Sequence, residues 1–327
     1  MIGRDGFSRR GVALAGLALI GATAAGCRPG SRASGGGKVL KVASQRGGTK
    51  ALMLAAGALV GVPYTVEWSE FPAAQHLLEA LSAGAVDVGG VGDAPFIFAY
   101  ASGVKVQAVQ ASRSAGGGAS TAILVPKSSP LRADADLRGK KIATGRGSVG
   151  HYVLLSVLDR AGIKPTDVSI VFLSPGDAKA AFSTGAIDAW STWNPYVASA
   201  VLHDGARVLA DGQGLLSGYG FLAATPAAIA GKRAQLGDFL HRLAKADQWA
   251  RQNQDAYAGV LAKETGLPLD VAAYTVKHIG AVAVPIDASV VAEEQRTLAR
   301  FREAGAIASA PDLTAAFDTS FNDSVRL

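Results

Sequence analysis

Two pairs of segments in this sequence repeat at a nearly constant distance, and that repeat limits the folds the chain can adopt. The matching pairs are KVASQRGGTKALMLAAGAL (41–59) with KIATGRGSVGHYVLLSVLDRAG (141–162), and SAGAVDVGGVGDAPF (82–96) with STGAIDAWSTWNPY (183–196). Val42 corresponds to Ile142 in the first pair, and Asp87 corresponds to Asp188 in the second. A shared offset at two places indicates a duplication, or at least two halves of parallel architecture.

Each repeated segment has a strand-like or turn-like start followed by a helix-like run, and further strands lie between them. YTVEWSEF (64–71) and VSIVFLS (168–174) have strand composition, and a helical pattern follows each one. Alternating strands and helices predict parallel sheets with helices on both faces. Ligands bind at the carboxyl ends of such strands, so two facing lobes would bring both glycine-containing turns to one cleft. From about residue 226 the tail is predicted to be mostly helical.

The first 27 residues have the layout of an export signal. A charged start precedes an apolar stretch from Val12 to Ala25, which is shorter than the roughly 20 residues that a spanning helix needs. Ser8-Arg9-Arg10 resembles a twin-arginine motif, and the AAGC that ends at Cys27 resembles a lipobox, in which Cys27 would be lipidated. A chance thiol in an ordinary signal is the alternative, and the choice between Tat and Sec export stays open. Residues 28–37 predict a flexible tether.

This layout predicts an exported protein, located in the periplasm or on the outer face of the cytoplasmic membrane and held there by a lipid anchor. Cys27 is the only cysteine, so the fold has no internal disulfide and depends on its core. The roughly 290 residues after the tether suit two lobes. The formal net charge of +6 includes three Arg and one Asp of the signal. Without basic runs interleaved with aromatics, this mild excess gives no case for nucleic acid.

Gly145, Gly147 and Gly150 match the spacing G-x-G-x-x-G of dinucleotide-binding turns. Such a site also needs an acid at the end of the next strand, but that strand ends in Ser174. The matching segment in the first half, SQRGGT, lacks the third glycine. We therefore exclude a dinucleotide and expect no cofactor and no metal. A turn that opens a helix still offers free backbone N–H groups at the positive end of the helix dipole, which predicts a small oxyanion as ligand.

From about residue 38 to 315 the chain resembles the periplasmic substrate-binding proteins of aliphatic sulfonate importers of the ABC type. Those proteins belong to a wider group that also binds taurine, nitrate and thiamine precursors. The segments that carry the resemblance are QRGGT, VEWSEFPAAQHLLEALSAGAVDVGGVGDAPFIFA, AILVPKSSPL, DLRGKKIATGRGSVGHYVLL, DAKAAFSTGAIDAWSTWNPY and ARVLADGQGL.

The resemblance implies an α/β, two-lobed periplasmic-binding-protein fold of type II (a Venus flytrap), with a ligand cleft between the lobes and two crossover strands. Lobe one would comprise 38–125 plus 219–327, and lobe two 126–218. The protein would be a monomer that hands its ligand to an ABC permease in the inner membrane. The implied binding residues are Gln45, Gly48, Thr49, Gly92, Asp93, Gly147, Ser148, His151, Trp193 and Asn194.

Several of these residues have a plain structural alternative. Asp93 is expected to be the N-cap of the helix that it opens, or else a ligand group, and Thr49 and Ser148 are equally plausible caps. His151, without a second histidine near it, is expected to be a hydrogen-bond donor or a packed residue rather than a metal ligand or a base. Of Trp190 and Trp193, we expect Trp193 to face the ligand and form an apolar wall.

Two departures from the family pattern bear on the ligand. Where the family usually has Trp-Asp-Pro-Tyr, this chain has Asn194, which removes a negative charge and makes taurine a poorer candidate than an alkyl or aryl sulfonate. The stretch at 111–120 also differs, and there Ser112 and Arg113 end a strand near the cleft. Arg113 could pair with a sulfonate or be a solvated surface residue.

The leading hypothesis is an exported solute-binding protein for a sulfonate, with nitrate, taurine, a thiamine precursor or an aromatic carboxylate as same-fold alternatives. A sensory module that signals to a membrane kinase is a further alternative. Some members of the wider group are enzymes that make a pyrimidine from their own histidine. This sequence has no Ser-His-Asp order, paired cleft carboxylates or H-E-x-x-H, so we expect no catalytic residue.

Overall fold

The computed structural model describes residues 39–46, 48–114 and 116–326. The predicted export signal, Cys27 and the predicted tether at 28–37 lie outside these residues. The strands are β1 (Val39–Gln45), β2 (Thr65–Phe71), β3 (Val88–Gly92), β4 (Gln107–Ser114), β5 (Thr121–Pro126), β6 (Lys141–Thr144), β7 (Ser169–Phe172), β8 (Ala189–Trp193), β9 (Ala206–Asp211), β10 (Tyr219–Ala224) and β11 (Ala281–Val284).

Helices connect most of these strands and form the C-terminal part. They are α1 (Thr49–Ala55), α2 (Ala74–Ser82), α3 (Asp93–Ala101), α4 (Val149–Arg160), α5 (Pro175–Ser183), α6 (Tyr196–Leu202), α7 (Pro226–Gly231), α8 (Arg233–Gln252), α9 (Gln254–Thr265), α10 (Leu269–Ile279) and α11 (Ala288–Glu303). Short 3-10 helices lie at Asp134–Leu137, Pro165–Asp167, Thr314–Ala316 and Thr319–Val325. Within these residues no helix is both long and apolar enough to cross a membrane.

Local sequence explains where several helices begin. Ser148, Ser174 and Thr225 are the N-caps of α4, α5 and α7, and each side chain accepts a hydrogen bond from the backbone amide three residues later. Pro175 and Pro226 follow as the first helical residues, where the missing N–H costs nothing. These caps satisfy donors that would otherwise stay unpaired at the helix ends.

The strands form two sheets of matching topology. The first has the order β11-β4-β10-β3-β1-β2, and the second has the order β7-β6-β8-β5-β9. In the first sheet β1 is parallel to β2 and β3, whereas β10 is antiparallel to β3 and β4. In the second sheet β6 is parallel to β7 and β8, whereas β5 is antiparallel to β8 and β9. The predicted parallel architecture of the two halves is therefore confirmed. We call the first sheet with α1–α3 and α7–α11 the first lobe, and the second sheet with α4–α6 the second lobe.

The repeated Gly-Ala-(Val/Ile)-Asp motif has the same role in both lobes. The carboxylate of Asp87 accepts a hydrogen bond from the amide of Lys41 at 2.7 Å, and Asp188 accepts one from the amide of Lys141 at 2.8 Å. The amides of both aspartates donate back to the carbonyls of the same lysines, at 2.8 Å in each case. Each aspartate thus fixes the start of the strand that follows it, β3 or β8, against the neighbouring parallel strand, β1 or β6. In the first lobe Asp87 also pairs with Lys232.

The chain passes from the first sheet to the second between Ser114 and Thr121, and it returns between Asp211 and Tyr219. The prediction placed 121–125 in lobe one, but β5 pairs with β8 and β9, so that boundary was wrong. The amino-acid composition of an antiparallel strand does not indicate which of two sheets the strand joins. The two passes approach closely where a Cβ on Gly118, whose φ is +97°, would lie 2.2 Å from the carbonyl oxygen of Gly212. Only glycine fits such an approach.

The lobes also pack against each other through apolar side chains. Tyr152 and Leu155 of α4 belong to the same buried cluster as Phe301 of α11, and the rings of Tyr152 and Phe301 lie 5.5 Å apart. Arg300 of α11 pairs with Asp159 of α4 at 2.6 Å. The C-terminal helix α11, which belongs to the first lobe, therefore supports the second.

Candidate ligand-binding site

A cavity of about 330 Å³ lies between the two lobes and is lined by residues of both. It lies at the carboxyl ends of β1, β3 and β8, where the topology places a ligand. Nine of the twelve predicted site residues line this cavity: Gln45, Gly48, Thr49, Gly92, Asp93, Ser112, Ser148, Trp193 and Asn194.

Gly147, His151 and Arg113 do not line this cavity. His151 is buried one turn into α4, where its Nδ1 accepts a hydrogen bond from the amide of Gly147 at 3.2 Å and its ring packs on Phe172 and Phe301. Burial, with a smaller contribution from Arg146, lowers the pKa of His151 to about 4, so the imidazole is neutral. Of the alternatives that the sequence left open for His151, the packed residue is the one that the structure shows.

Arg113 is exposed, and its guanidinium lies 5.6 Å from the ring centre of Tyr219. Tyr219 lines the cavity, so Arg113 reaches the site only through that ring. Gly147, with φ +67°, faces Phe98 of α3, where a Cβ would approach the ring to 2.4 Å. Its role is close contact between the lobes, since a side chain here would push them apart.

The first lobe contributes the turn between β1 and α1. Gly48 is the N-cap of α1, and Thr49 is its first residue, so the threonine is not the cap that one alternative expected. The side-chain amide of Gln45 donates to the carbonyl of Gly90 at 2.9 Å, which fixes the turn against β3. Thr49 itself lines the cavity, and its hydroxyl forms no hydrogen bond with a described residue.

Asp93 is the first residue of α3, and Gly92 is the N-cap, so the predicted cap position was one residue late. Its carboxylate accepts a hydrogen bond from the amide of Ala94 at 2.6 Å and another from the hydroxyl of Ser217. Burial raises the pKa of Asp93, and the bond from Ser217 opposes that rise. Because Ser217 lies in the returning pass, Asp93 ties the first lobe to the connection between the lobes.

The second lobe contributes the start of α4 and the end of β8. Ser148 caps α4 by accepting from the amide of His151 at 3.0 Å, as one alternative expected. Val149, the first residue of α4, lines the cavity, and its amide has no acceptor within the helix. Trp190 is buried in the core beside Phe182, whereas Trp193 lines the cavity.

Asn194 has one side-chain atom engaged and one free. Its Oδ1 accepts a hydrogen bond from the amide of Ala198 in α6 at 3.2 Å, which fixes the orientation of the amide group. Its Nδ2 is buried and has no hydrogen-bond partner among the described residues. A buried amide N–H₂ without an acceptor costs about 1–3 kcal/mol, so this atom favours a ligand that accepts hydrogen bonds.

The charges on the cavity wall are few. Within the part of the chain that the structure describes, the lining contains no Lys, Arg or His, and its only ionisable carboxyls are those of Asp93 and Asp247. An anion bound here is therefore held by neutral donors and helix ends rather than by a cation.

Several residues that line the cavity were not among the predicted site residues. Ser120 lies in the first pass, at the end of the stretch already noted as unusual, and Thr121 is the first residue of β5. Gln75 lies at the start of α2. Asp247 and Tyr257 come from the helical tail, where the sequence carried no motif to mark them.

Hydrogen bonds also join the two lobes beside the cavity. Gln75 of the first lobe donates to the carbonyl of Arg146 in the second at 2.9 Å, and the Tyr196 hydroxyl of the second lobe donates to the carbonyl of Pro72 at 2.9 Å. His203 and Asp270 form a further contact between the lobes at 3.0 Å. The structure is therefore a closed form.

A second cavity of about 430 Å³ adjoins the first. Gln75, Pro95 and Trp193 line both, so these residues form the wall between them. Arg146 also borders it, with its guanidinium 3.9 Å from the ring centre of Phe172.

Comparisons with known proteins identify the family of this chain. Residues 42–263 match the model of the NMT1-like family. The chain is 39% identical over 240 residues to a protein of Escherichia coli (strain K12) named as an aliphatic sulfonates-binding protein, with 73% of this chain and 74% of that protein covered.

Solved structures extend the comparison. The alkanesulfonate-binding protein SsuA from Xanthomonas axonopodis pv. citri, bound to MOPS, matches with a TM-score of 0.79 and 32% identity, covering 86% of this chain and 98% of that one. The periplasmic aliphatic sulphonate binding protein SsuA from Escherichia coli matches with a TM-score of 0.74 and 32% identity, covering 85% and 91%. The desulfurization enzyme DSZB has a TM-score of 0.64 at 16% identity, covering 88% and 98%, and shares the fold alone.

Proposed function

This chain belongs to the NMT1-like family, and from that premise we propose that it is an exported solute-binding protein that captures an aliphatic or aryl sulfonate and delivers it to an ABC permease. The observation that carries the proposal is a cavity between the lobes whose described lining has no cationic side chain and includes Asn194, the buried Nδ2 of which has no hydrogen-bond partner among the described residues. Neutral donors from both lobes suit a compact anion that stays ionised over the physiological pH range.

The donors are distributed for a head group with several oxygens. Nδ2 of Asn194 and the amide of Val149 come from the second lobe, and the hydroxyl of Thr49 comes from the first. The dipole of α4, a helix of 12 residues, adds a favourable potential at its first turn. A ligand that contacts the donors of both lobes at once would hold the lobes together.

The remainder of the wall is apolar and suits an organic tail. Trp193, Leu52 and Phe221 provide surface for alkyl or aryl carbon. Nitrate would leave this surface uncovered, so the wall favours a ligand with carbon attached to its anionic group.

Closing and opening of the two lobes would capture the ligand and release it to the permease. The contacts of Gln75 with Arg146 and of Tyr196 with Pro72 form only when the lobes meet, so the closed form sequesters the ligand. Release requires the lobes to separate, and a permease that binds the closed form and favours the open one would perform this step.

Export and attachment form part of the same proposal. The predicted signal and tether would place the folded body in the periplasm or at the outer face of the cytoplasmic membrane. A lipid on Cys27 would then keep it near its permease. Mass spectrometry of the mature N-terminus tests both points, because an acylated Cys27 and an unmodified later residue give different masses.

Binding without turnover is also proposed. The described lining contains no Cys, His or Lys that could act as a nucleophile or general base. Of its two carboxyls, Asp93 already accepts two hydrogen bonds, and Asp247 lies among apolar side chains, with no histidine in the described lining to complete a catalytic triad. Incubation of purified protein with labelled ligand tests this, since a recovered ligand of unchanged mass supports binding and a product would contradict it.

The decisive experiment is native mass spectrometry of ligand carried through purification, followed by calorimetry. The panel comprises alkyl and aryl sulfonates, MOPS, taurine, nitrate, a thiamine precursor and aromatic carboxylates. The proposal expects micromolar or tighter binding of at least one sulfonate and much weaker binding of the matched carboxylate. Tight binding of another class with no response to any sulfonate would overturn it. Loss of labelled sulfonate uptake on gene deletion would distinguish transport from sensing.

A further inference from the structure

The inner end of the cavity contains an acidic residue that the binding of a sulfonate does not explain. Asp247 of α8 and Tyr257 of α9 line this end, together with Leu52, Leu243 and Ile279. The side chains of Asp247 and Tyr257 are 9% and 5% exposed. A carboxyl in so apolar a pocket loses most of its hydration, which is costly unless a partner replaces the water.

No described residue provides that partner. The carboxylate of Asp247 forms no hydrogen bond or ion pair with a described side chain, and Arg251, one turn along α8, acts on it only at longer range. The Tyr257 hydroxyl likewise forms no hydrogen bond with a described residue. Both side chains reach the cavity surface, so a bound molecule can contact them.

The two carboxyls that line the cavity, those of Asp93 and Asp247, differ in whether they have hydrogen-bond partners. Asp93 lies at the start of α3 and accepts hydrogen bonds from Ala94 and Ser217. Asp247 lies in the C-terminal half of the 20-residue helix α8, far from the N-terminus of that helix, which would stabilise its charge. Asp247 is therefore the acceptor that remains available to a ligand.

We propose that the ligand carries an amino group, and that its ammonium is held by the Asp247 carboxylate and the Tyr257 hydroxyl while its anionic head group contacts the donors of the two lobes. The substrate class is then a zwitterionic aminosulfonate whose amino group is separated from the sulfonate by a carbon chain. This inference rests on the proposed function, because it assumes that the other end of the ligand is a sulfonate.

The chemistry of the inner end favours ammonium over other cations. One carboxylate and one phenol surrounded by leucine and isoleucine suit a single organic charge. A metal ion requires several ligands, and within the described residues no group of three His, Cys, Asp or Glu could hold one. The apolar side chains between the two ends would contact the methylenes of the chain.

The test is calorimetry with pairs of ligands that have the same length. Each ω-aminoalkanesulfonate, from taurine to aminohexanesulfonate, is compared with the n-alkanesulfonate in which a methyl group replaces the amino group. The wild-type protein is expected to bind the best aminosulfonate about tenfold or more tightly than its partner. Equal affinity within every pair would overturn the inference.

Asp247→Asn and Asp255→Asn complete the design. Asp255 is exposed at the start of α9, so its substitution removes the same charge without touching the cavity. Asp247→Asn is expected to abolish the preference for the amino group and to retain binding of the alkyl compound, whereas Asp255→Asn keeps the preference. A preference that survives Asp247→Asn would refute the role of Asp247. Failure of all these compounds and of the aryl sulfonates to bind would instead refute the proposed sulfonate function.

Discussion

The side-chain amide of Gln75 donates a hydrogen bond to the carbonyl of Arg146 at 2.9 Å, and this bond joins the two lobes beside the cavity. Gln75 also lines the cavity itself. One residue therefore contacts the ligand space and the opposite lobe. This geometry couples occupancy of the cavity to closure, because the bond exists only when the lobes meet.

We expect Gln75→Ala and Tyr196→Phe each to destabilise the closed form. Each substitution removes a hydrogen bond across the cleft that contributes about 1 kcal/mol, so dissociation of the ligand should accelerate about fivefold. Stopped-flow tryptophan fluorescence measures this rate. Tyr100→Phe is the control, since the Tyr100 hydroxyl donates within the first lobe to the carbonyl of Asp312. Equal rates in Tyr196→Phe and Tyr100→Phe would contradict the role of Tyr196 in closure.

Gly147→Ala should weaken ligand binding by about tenfold or more. The added Cβ would lie 2.4 Å from the ring of Phe98 in the other lobe, so the lobes would have to move apart. Gly185→Ala is a matched control, because Gly185 has a similar φ of +71° but a Cβ added there would have no atom within 4 Å. Both variants should lose stability through backbone strain, but only Gly147→Ala should lose affinity. Calorimetry and thermal melting separate the two effects.

Asn194→Asp should reduce sulfonate affinity about a hundredfold. The substitution keeps an oxygen for the amide of Ala198 but replaces the free Nδ2 with a second acceptor, which would repel an anion. Gln252→Glu changes charge equally at an exposed position and should have little effect. Titrations with the best alkyl sulfonate measure both constants. Unaltered affinity in Asn194→Asp would place the anionic group elsewhere in the cavity.

Asp247 should make stability depend on pH. Burial raises its pKa from 3.8 to about 7, with Arg251 on its own helix opposing the rise and Tyr257 the titratable group facing it from α9. Between these two pKa values the native state holds a proton that the unfolded state has lost, so this carboxyl lowers stability as pH rises through that range, by at most about 4 kcal/mol.

The consequence is measurable by thermal melting without ligand. Asp247→Asn should raise Tm by about 4 °C or more at pH 8, and the gain should disappear near pH 4.5, where the native carboxyl is neutral. Asp255→Asn should show no such trend. A gain that is equal at both pH values would mean that the charge of Asp247 carries no penalty in the folded protein.

The repeat in the sequence predicted the architecture because a strand, a turn and a helix each have a local signature. The hydrogen bonds between Asp87 and Lys41 and between Asp188 and Lys141 show why the motif recurs. Each bond fixes the start of a strand, β3 or β8, against its parallel neighbour. Turn residues such as Gly48 and Ser148 were also predictable, because the carboxyl ends of parallel strands converge. The boundary at 121–125 was wrong because strand exchange between sheets has no local signature.

His151 and Asp247 show two ways in which local sequence fails to predict a site. His151 was predicted to line the cavity and does not, whereas Asp247 was not predicted and does. His151 follows the predicted turn closely in sequence, yet the helix directs its side chain into the apolar contact with Phe172 and Phe301. Asp247 lies about a hundred residues beyond the second turn, yet α8 returns to the first lobe and places its carboxyl at the inner end of the cavity.

The sequence by itself determined the two similar halves and the turns that meet between them, because hydrophobic periodicity and turn chemistry are properties of neighbouring residues. Only the tertiary structure decided which lobe receives β5, which side chains face the cavity and where the tail adds a carboxyl. Those outcomes depend on packing between segments far apart in the chain, and the energy of such contacts is not encoded in any single segment.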